Sequence, residues 1–77
     1  MVVYHVTTWK KLQRYMNNGC VIKPPVRAWK SIKAAEEFSK QTGRRIILRL
    51  RFIEYKELDG HRGQAVVSNE AYPIVNF

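Results

Sequence analysis

Three groups of side chains in this chain could serve a binding or catalytic site. They are His5 with Thr7, the arginines at positions 45, 49 and 51, and Trp29 with its basic neighbours. His5 lies in the middle of an apolar, β-branched stretch, with Thr7 two positions further on. A histidine in that setting can orient a ribose or phosphate by hydrogen bonds or act as a base, and a half-buried structural histidine is the alternative. Arg45, Arg49 and Arg51 alternate with apolar residues, so a regular strand would place their guanidinium groups on one face.

We call Arg45, Arg49 and Arg51 the arginine row, and this row has two interpretations. It is either a binding face for an anion or a solvated sheet edge, with Glu54 or Glu57 of a neighbouring strand pairing with the arginines. Arg27 and Lys30 in the preceding segment add positive charge and favour binding. Trp29 lies between them, so its ring either stacks on a base or nicotinamide ring or packs in the core.

The net charge points to an anionic partner. The 77 residues carry a formal charge of +8, and no acidic residue precedes Glu36. Such an excess adds self-repulsion, and its common use is to bind nucleic acid, a nucleotide, an acidic protein or a membrane surface. We expect nucleic acid or a nucleotide as the partner. A hydrophobic content of 45% is typical of a folded chain.

Other features limit the class of protein. Cys20 is the only cysteine, so it predicts no disulfide, and we expect it to be a small buried side chain. It has no zinc-ligand spacing with the two histidines. No signal peptide or membrane span is predicted, which favours a cytoplasmic protein without membrane contact. Residues 1–77 predict a single domain with a small core, to which a homo-oligomer would add buried area.

Local patterns predict the elements that position these side chains. Residues 2–7 predict a strand, and Thr8 then caps a helix that ends at Gly19. Residues 26–30 predict a second strand, and Ser31 and Gly43 delimit a second helix. The apolar faces of the two helices are predicted to carry Trp9, Leu12, Tyr15, Met16, Ile32, Ala35 and Phe38.

The second half predicts three more strands, over residues 44–53, 64–68 and 72–77, with a loop over 54–63. His61 lies in a glycine-flanked turn of that loop, where we expect it to be solvated. The order β-α-β-α-β-β-β predicts an α+β fold. It is a small, mostly antiparallel sheet with two helices on one side.

One order of short segments extends over most of the chain. A first strand is followed by a helix, a Lys-Pro-Pro break, a second strand and helix, and two further strands. The segments are Tyr4-His5-Val6-Thr7, Gly19, Ile22-Lys23-Pro24-Pro25, Trp29-Lys30-Ser31, Ala34-Ala35, residues 46–50 and Gly63-Gln64-Ala65-Val66-Val67. This order resembles the histidine-type branch of the ADP-ribosyltransferase-like superfamily, which includes RNA 2′-phosphotransferases and small bacterial toxin relatives.

The resemblance implies a role for five residues. His5 and Thr7 would hold a nicotinamide ribose, and Trp29 with Ser31 would stack on the nicotinamide of NAD. Gln64 stands where the family often has a glutamate. Because Gln64 cannot act as a base or carry negative charge, the resemblance implies a minimal or inactive relative.

We therefore expect a small basic domain that binds a nucleotide or RNA through His5, Trp29 and the arginine row, with no resident cofactor. Three alternatives remain open. One is an active NAD-dependent ADP-ribosyl transferase or phosphotransferase. Another is a ribosome-directed endoribonuclease toxin, which the small size, basic charge and histidines also fit. The third is an interaction protein for an acidic partner. The sequence leaves open whether the chain is an enzyme.

Overall fold

The predicted α+β class is confirmed by a computed structural model, which describes residues 1–74. A five-stranded antiparallel sheet has the order β4-β1-β3-β6-β5, and β2 pairs with β7 in a separate two-stranded sheet. The elements in chain order are β1 Val2–Thr7, α1 Trp9–Asn17, β2 Val21–Ile22, β3 Val26–Trp29, α2 Ile32–Thr42, β4 Ile46–Arg51, β5 Lys56–Glu57, β6 Ala65–Ser68 and β7 Tyr72–Pro73.

Both helices begin and end where the capping residues predict. The Thr8 side chain accepts a hydrogen bond from the Lys11 amide at 3.2 Å, and Ser31 Oγ accepts one from the Ala34 amide at 3.1 Å. These bonds satisfy amide groups that have no partner within the helix. Gly43 ends α2 in a left-handed conformation with φ 75°. That conformation is nearly free of strain only for glycine.

The predicted alternation in β4 is confirmed. Leu48 and Leu50 are buried while Arg49 and Arg51 are exposed, so one face of the strand packs in the main core and the other carries the arginines. Leu50 is paired with Val3 of β1, and paired residues share a face of the sheet. This face contributes to the main core, whose members are Val3, Leu12, Ile22, Val26, Ala28, Leu48, Leu50, Phe52, Val66, Tyr72 and Ile74.

The two helices lie on opposite faces of the sheet, so the prediction that they share one side is wrong. Leu12 of α1 packs in the core on the Val3 face. Phe38 of α2 packs against Trp29, whose partner Tyr4 lies on the other face of β1. Alternation within β1 separates Val3 from Tyr4, and each face is therefore covered by its own helix.

Some predicted core positions are exposed. Trp9 is 61% exposed and Ile32 is 45% exposed, although both lie on the predicted apolar faces of their helices. Met16 is also exposed. These helices have nine and eleven residues, and Leu12 and Ala35 are their buried residues. Cys20 is exposed with φ 59°, which corrects its prediction as a buried residue.

The predicted element order lacks two short strands. No strand is predicted for residues 21–22, and residues 56–57 fall in the predicted loop, yet they form β2 and β5. The last strand begins at Tyr72 as predicted, and positions 75–77 lie outside the described residues. Within the described part of the chain, neither helix is long and apolar enough to cross a membrane.

Candidate functional site

His5 connects two neighbouring strands through its side chain. Its Nδ1 lies 2.6 Å from the carbonyl oxygen of Arg27 in β3. A carbonyl can only accept, so Nδ1 carries the proton and donates it. In the neutral ring Nε2 is then unprotonated, and the Tyr15 hydroxyl of α1 lies 3.4 Å from it. The contact with Arg27 therefore fixes which nitrogen can take up a proton.

A cleft opens where β1 and β3 separate. The two strands are paired only at Tyr4 and Trp29, although β1 continues to Thr7 and β3 begins at Val26. The side chain of His5 bonds to Arg27 in this unpaired region. Residues of both strands line the opening, and its volume is about 410 Å³.

We call this opening the basic cleft, because it is lined by cations and aromatic rings. Its lining residues are His5, Val6, Lys11, Tyr15, Pro25, Arg27, Ala28, Trp29, Phe38, Arg44, Leu58, His61 and Ala65. None of them is acidic. Cationic side chains beside aromatic rings are suited to a ligand that combines negative charge with a planar group.

Three rings form one wall of the basic cleft. Trp29 lies at the centre, with Phe38 at 5.2 Å and His61 at 5.3 Å between ring centroids. The His61 ring meets Trp29 edge-on at 86°. The guanidinium carbon of Arg44 lies 5.8 Å from the Phe38 centroid, which is within the range of a cation–π contact.

Local backbone contacts position Arg44 at this wall. Gly43 turns the chain out of α2, and the Ser39 side chain then donates a hydrogen bond to the Arg44 carbonyl. The Arg44 amide donates to Thr42 Oγ1 at 3.4 Å. The end of α2 thus holds the residue next to the cleft.

An unusual turn presents His61. Four consecutive residues have positive φ, with 80° at Gly60, 53° at His61, 55° at Arg62 and 71° at Gly63. Glycine tolerates this conformation, but His61 and Arg62 adopt it with a steric cost. The turn is held in part by a bond from the Gly63 amide to the Gly60 carbonyl at 3.1 Å.

Burial lowers the pKa of His5 below its ordinary value. The hydrogen bond to the Arg27 carbonyl opposes this shift, while the positive charges of Lys11 and Arg44 lower the pKa further. Burial and like charge both disfavour the imidazolium form. These effects favour the neutral imidazole form of His5.

A second cleft shares the three-ring wall. This neighbouring cleft has a volume of about 450 Å³, and it contains Ser31 and Gln64 beside Trp29. Its remaining lining residues are Lys33, Ala34, Glu37, Phe38, Gln41, His61 and Arg62. His5 lies in one cleft, and Ser31 and Gln64 lie in the other. Trp29 is common to both.

Several residues predicted to bind a ligand lie elsewhere. Thr7 is 1% exposed and lines neither cleft. Lys30 forms an ion pair with Glu57 of β5, so its charge is already partnered. Arg45, Arg49 and Arg51 are exposed outside both clefts, and no ion pair with Glu54 or Glu57 is formed by them within residues 1–74. Arg27 does line the basic cleft.

Four residues of the basic cleft were not predicted as site residues from the sequence, namely Lys11, Arg44, Phe38 and Tyr15. His61 was predicted only to be solvated. His61 is exposed as expected but also reaches Trp29. A signal for the position of Arg44 was present in the sequence, since Arg44 directly follows Gly43, the glycine that ends α2. Nothing in the spacing of the other residues indicates that they meet.

The chain matches no protein-family model, no curated protein and no solved structure. Across the described residues, no group of three His, Cys, Asp or Glu side chains is placed to hold a metal ion. The functional argument therefore depends on the geometry of the two clefts.

Proposed function

We propose that this chain binds RNA or a nucleotide in the basic cleft. The observation that carries the proposal is the composition of its lining, in which three cations and several aromatic rings meet without a carboxylate. A phosphate would contact Lys11, Arg27 and Arg44, and a base would lie against Trp29. The volume falls within the usual range for small-ligand sites and suits a single nucleotide unit.

The charge of the whole chain supports this assignment. A net charge of +8 attracts a polyanion over long range, while the cleft provides the local contacts. Phosphate contacts set the position of a strand and ring contacts hold its base. Arg49 and Arg51 lie outside the cleft, so they supply attraction at a distance.

The salt dependence of binding tests this proposal. The probe is a short single-stranded 2′-O-methyl RNA, and the measurement is the slope of log affinity against log salt concentration. We expect Lys11→Gln with Arg44→Gln to reduce the slope by about 1.4, at about 0.7 for each lost phosphate contact. The matched control, Arg49→Gln with Arg51→Gln, removes the same charge outside the cleft and should leave the slope nearly unchanged. The reverse result would assign binding to the arginine row.

NAD is a second candidate ligand, favoured by the shared three-ring wall. His5 shares one cleft with Trp29, and Ser31 and Gln64 share the other with it. These are the residues to which the ADP-ribosyltransferase resemblance assigns nicotinamide and ribose contacts. A dinucleotide could extend across both clefts with one ring at Trp29. Titration with NAD, followed by Trp29 fluorescence, tests this candidate against a Trp29→Phe variant, because Trp9 contributes the only other tryptophan signal.

A further inference from the structure

The chain contains two histidines, and both line the basic cleft. His5 extends from β1 and His61 from the glycine-flanked turn after β5. They are far apart in sequence, so the fold alone brings them to one cleft. Two imidazoles at one anion-binding site provide both a proton acceptor and a proton donor.

His5 has the features of a base. Its Nδ1 donates its proton to the Arg27 carbonyl at 2.6 Å, so Nε2 of the neutral ring can only accept, and the Tyr15 hydroxyl lies 3.4 Å from it. The groups that face it from the surrounding elements are Lys11 and Tyr15 of α1, Arg27 of β3 and Arg44 before β4. Burial, followed by the positive charges of Lys11 and Arg44, lowers the pKa of His5, while the hydrogen bond to the Arg27 carbonyl opposes the shift.

His61 has the features of an acid. Its side chain is exposed, and its ring contacts Trp29 at a near right angle. Its surroundings differ from those of the more buried His5. Two titratable groups in unlike environments are the usual arrangement for an acid and a base that act in one step.

We propose that the basic cleft cleaves RNA by internal phosphoryl transfer, with His5 as general base and His61 as general acid. This proposal rests on the proposed binding of RNA. His5 Nε2 takes the proton of a ribose 2′-hydroxyl, and the 2′-oxygen forms a bond to the adjacent phosphorus. The bond from phosphorus to the 5′-oxygen breaks, and that oxygen takes a proton from His61. The products are a 2′,3′-cyclic phosphate and a free 5′-hydroxyl, and no metal, oxidant or cofactor is consumed.

The cations of the cleft have a defined part in this step. Negative charge builds up on the phosphoryl oxygens as the 2′-oxygen attacks, and fixed positive groups stabilise it. Lys11 and Arg44 line the same cleft as His5. The same two residues that bind phosphate therefore also stabilise the transition state.

The test uses the full chain, single-stranded RNA and EDTA. We expect cleavage in EDTA with 2′,3′-cyclic phosphate and 5′-hydroxyl ends, which are identified by mass spectrometry. His5→Asn retains an amide N–H for the Arg27 carbonyl but has no basic nitrogen, so it should fold and bind while cleavage falls about 10²–10⁴-fold. His61→Ala should show a similar loss, partly restored by added imidazole. Lys40→Gln, an exposed change on α2 outside both clefts, should cleave at the wild-type rate.

The outcomes separate cleavage from binding. Binding of the 2′-O-methyl strand is measured in parallel, because that strand lacks the attacking hydroxyl. If the wild type binds this strand but leaves RNA intact, the cleavage proposal is overturned and the binding proposal stands. If it binds neither strand, both proposals are overturned. Cleavage that persists undiminished in identically purified His5→Asn and His61→Ala comes from a contaminant and overturns the assignment of the two histidines.

Discussion

His5 donates its Nδ1 proton to the backbone carbonyl of Arg27 across the gap between two strands. A side chain here takes the place of a main-chain donor, in the region where β1 and β3 are not paired. The bond satisfies a polar group next to the opening and sets the orientation of the imidazole. One contact thus contributes both to the sheet and to the chemistry of the cleft.

Trp29 should supply stacking energy that salt does not affect. We expect Trp29→Ala to weaken binding of a single-stranded RNA by about 1–3 kcal/mol, because one base loses its aromatic platform. The slope of log affinity against log salt should stay the same, since stacking releases no counterions. Trp9→Ala is the matched control, because Trp9 is exposed and lines neither cleft. Equal losses in the two variants would contradict the placement of the base.

The buried hydroxyl of Thr7 should lower the stability of the fold, and Thr7 should not contribute to RNA binding. Its hydroxyl is buried and has no hydrogen-bond partner among the described residues. We expect Thr7→Val to raise the free energy of unfolding by about 1 kcal/mol in urea titration, because an unsatisfied polar atom is removed at little change in shape. RNA affinity should be unchanged. A fall in affinity would return Thr7 to the site, as the family resemblance implies.

Thr8 provides the contrast to Thr7. It is the neighbouring threonine, but its hydroxyl accepts the Lys11 amide at the start of α1. Thr8→Val should lower the free energy of unfolding by about 1 kcal/mol, as loss of an N-cap does. The same substitution thus has opposite signs at adjacent positions. If both substitutions changed the free energy of unfolding in the same direction, the two hydroxyls would not differ in their hydrogen bonding.

Acidification should destabilise the protein through His5. Its pKa in the folded state is lowered, mainly by burial, so the unfolded chain binds more protons between the folded value and the ordinary value of about 6.5. The contribution of His5 is therefore fully present above about pH 6.5 and is lost as the pH falls through the folded pKa.

His5→Asn isolates that effect. The variant lacks the titrating group and retains every carboxylate, so its stability should fall less than that of the wild type between about pH 7 and pH 5. Urea denaturation at a series of pH values measures the difference. Parallel curves for the two proteins would show that His5 has the same pKa in the folded and unfolded chains.

Gln64 should limit any reaction with NAD. Positive charge develops on the ribose as nicotinamide leaves, and an amide stabilises it far less than a carboxylate. We expect the wild type to hydrolyse little or no NAD and Gln64→Glu to gain activity, by at most about 10²–10³-fold. Gln41→Glu makes the same charge change in the same neighbouring cleft and should gain none. Rapid hydrolysis by the wild type that is lost in Gln64→Ala would contradict this reasoning.

Local chemistry made much of the fold predictable. Thr8, Ser31 and Gly43 act within one turn of their own positions, so their roles depend little on the rest of the chain. The alternation of Leu48 and Arg49 likewise reports only on the two faces of one strand. The strands β2 and β5 could not be predicted in the same way, because each has two residues and is defined only by its pairing with another strand.

The site was predictable only in part. His5 and Trp29 were recognised because their types are unusual at those positions, and both line the basic cleft. Phe38 and His61 meet Trp29, and Arg44 lies over the Phe38 ring, through tertiary packing for which the sequence carries no periodic signal. The arginine row was visible as an alternating pattern in the sequence. Such a pattern does not show how far the arginines lie from a cleft between β1 and β3.

The pairing of β2 with β7 joins the first third of the chain to its last described residues. Closing so long a loop costs entropy before any contact compensates for it, so this pairing should form late in folding. Ile22 and Tyr72, which are opposite each other in this pair, belong to the main core. Partial opening of β7 would therefore expose core side chains without breaking the five-stranded sheet. Amide hydrogen exchange should then be faster in β2 and β7 than in β1, whose two neighbouring strands protect it.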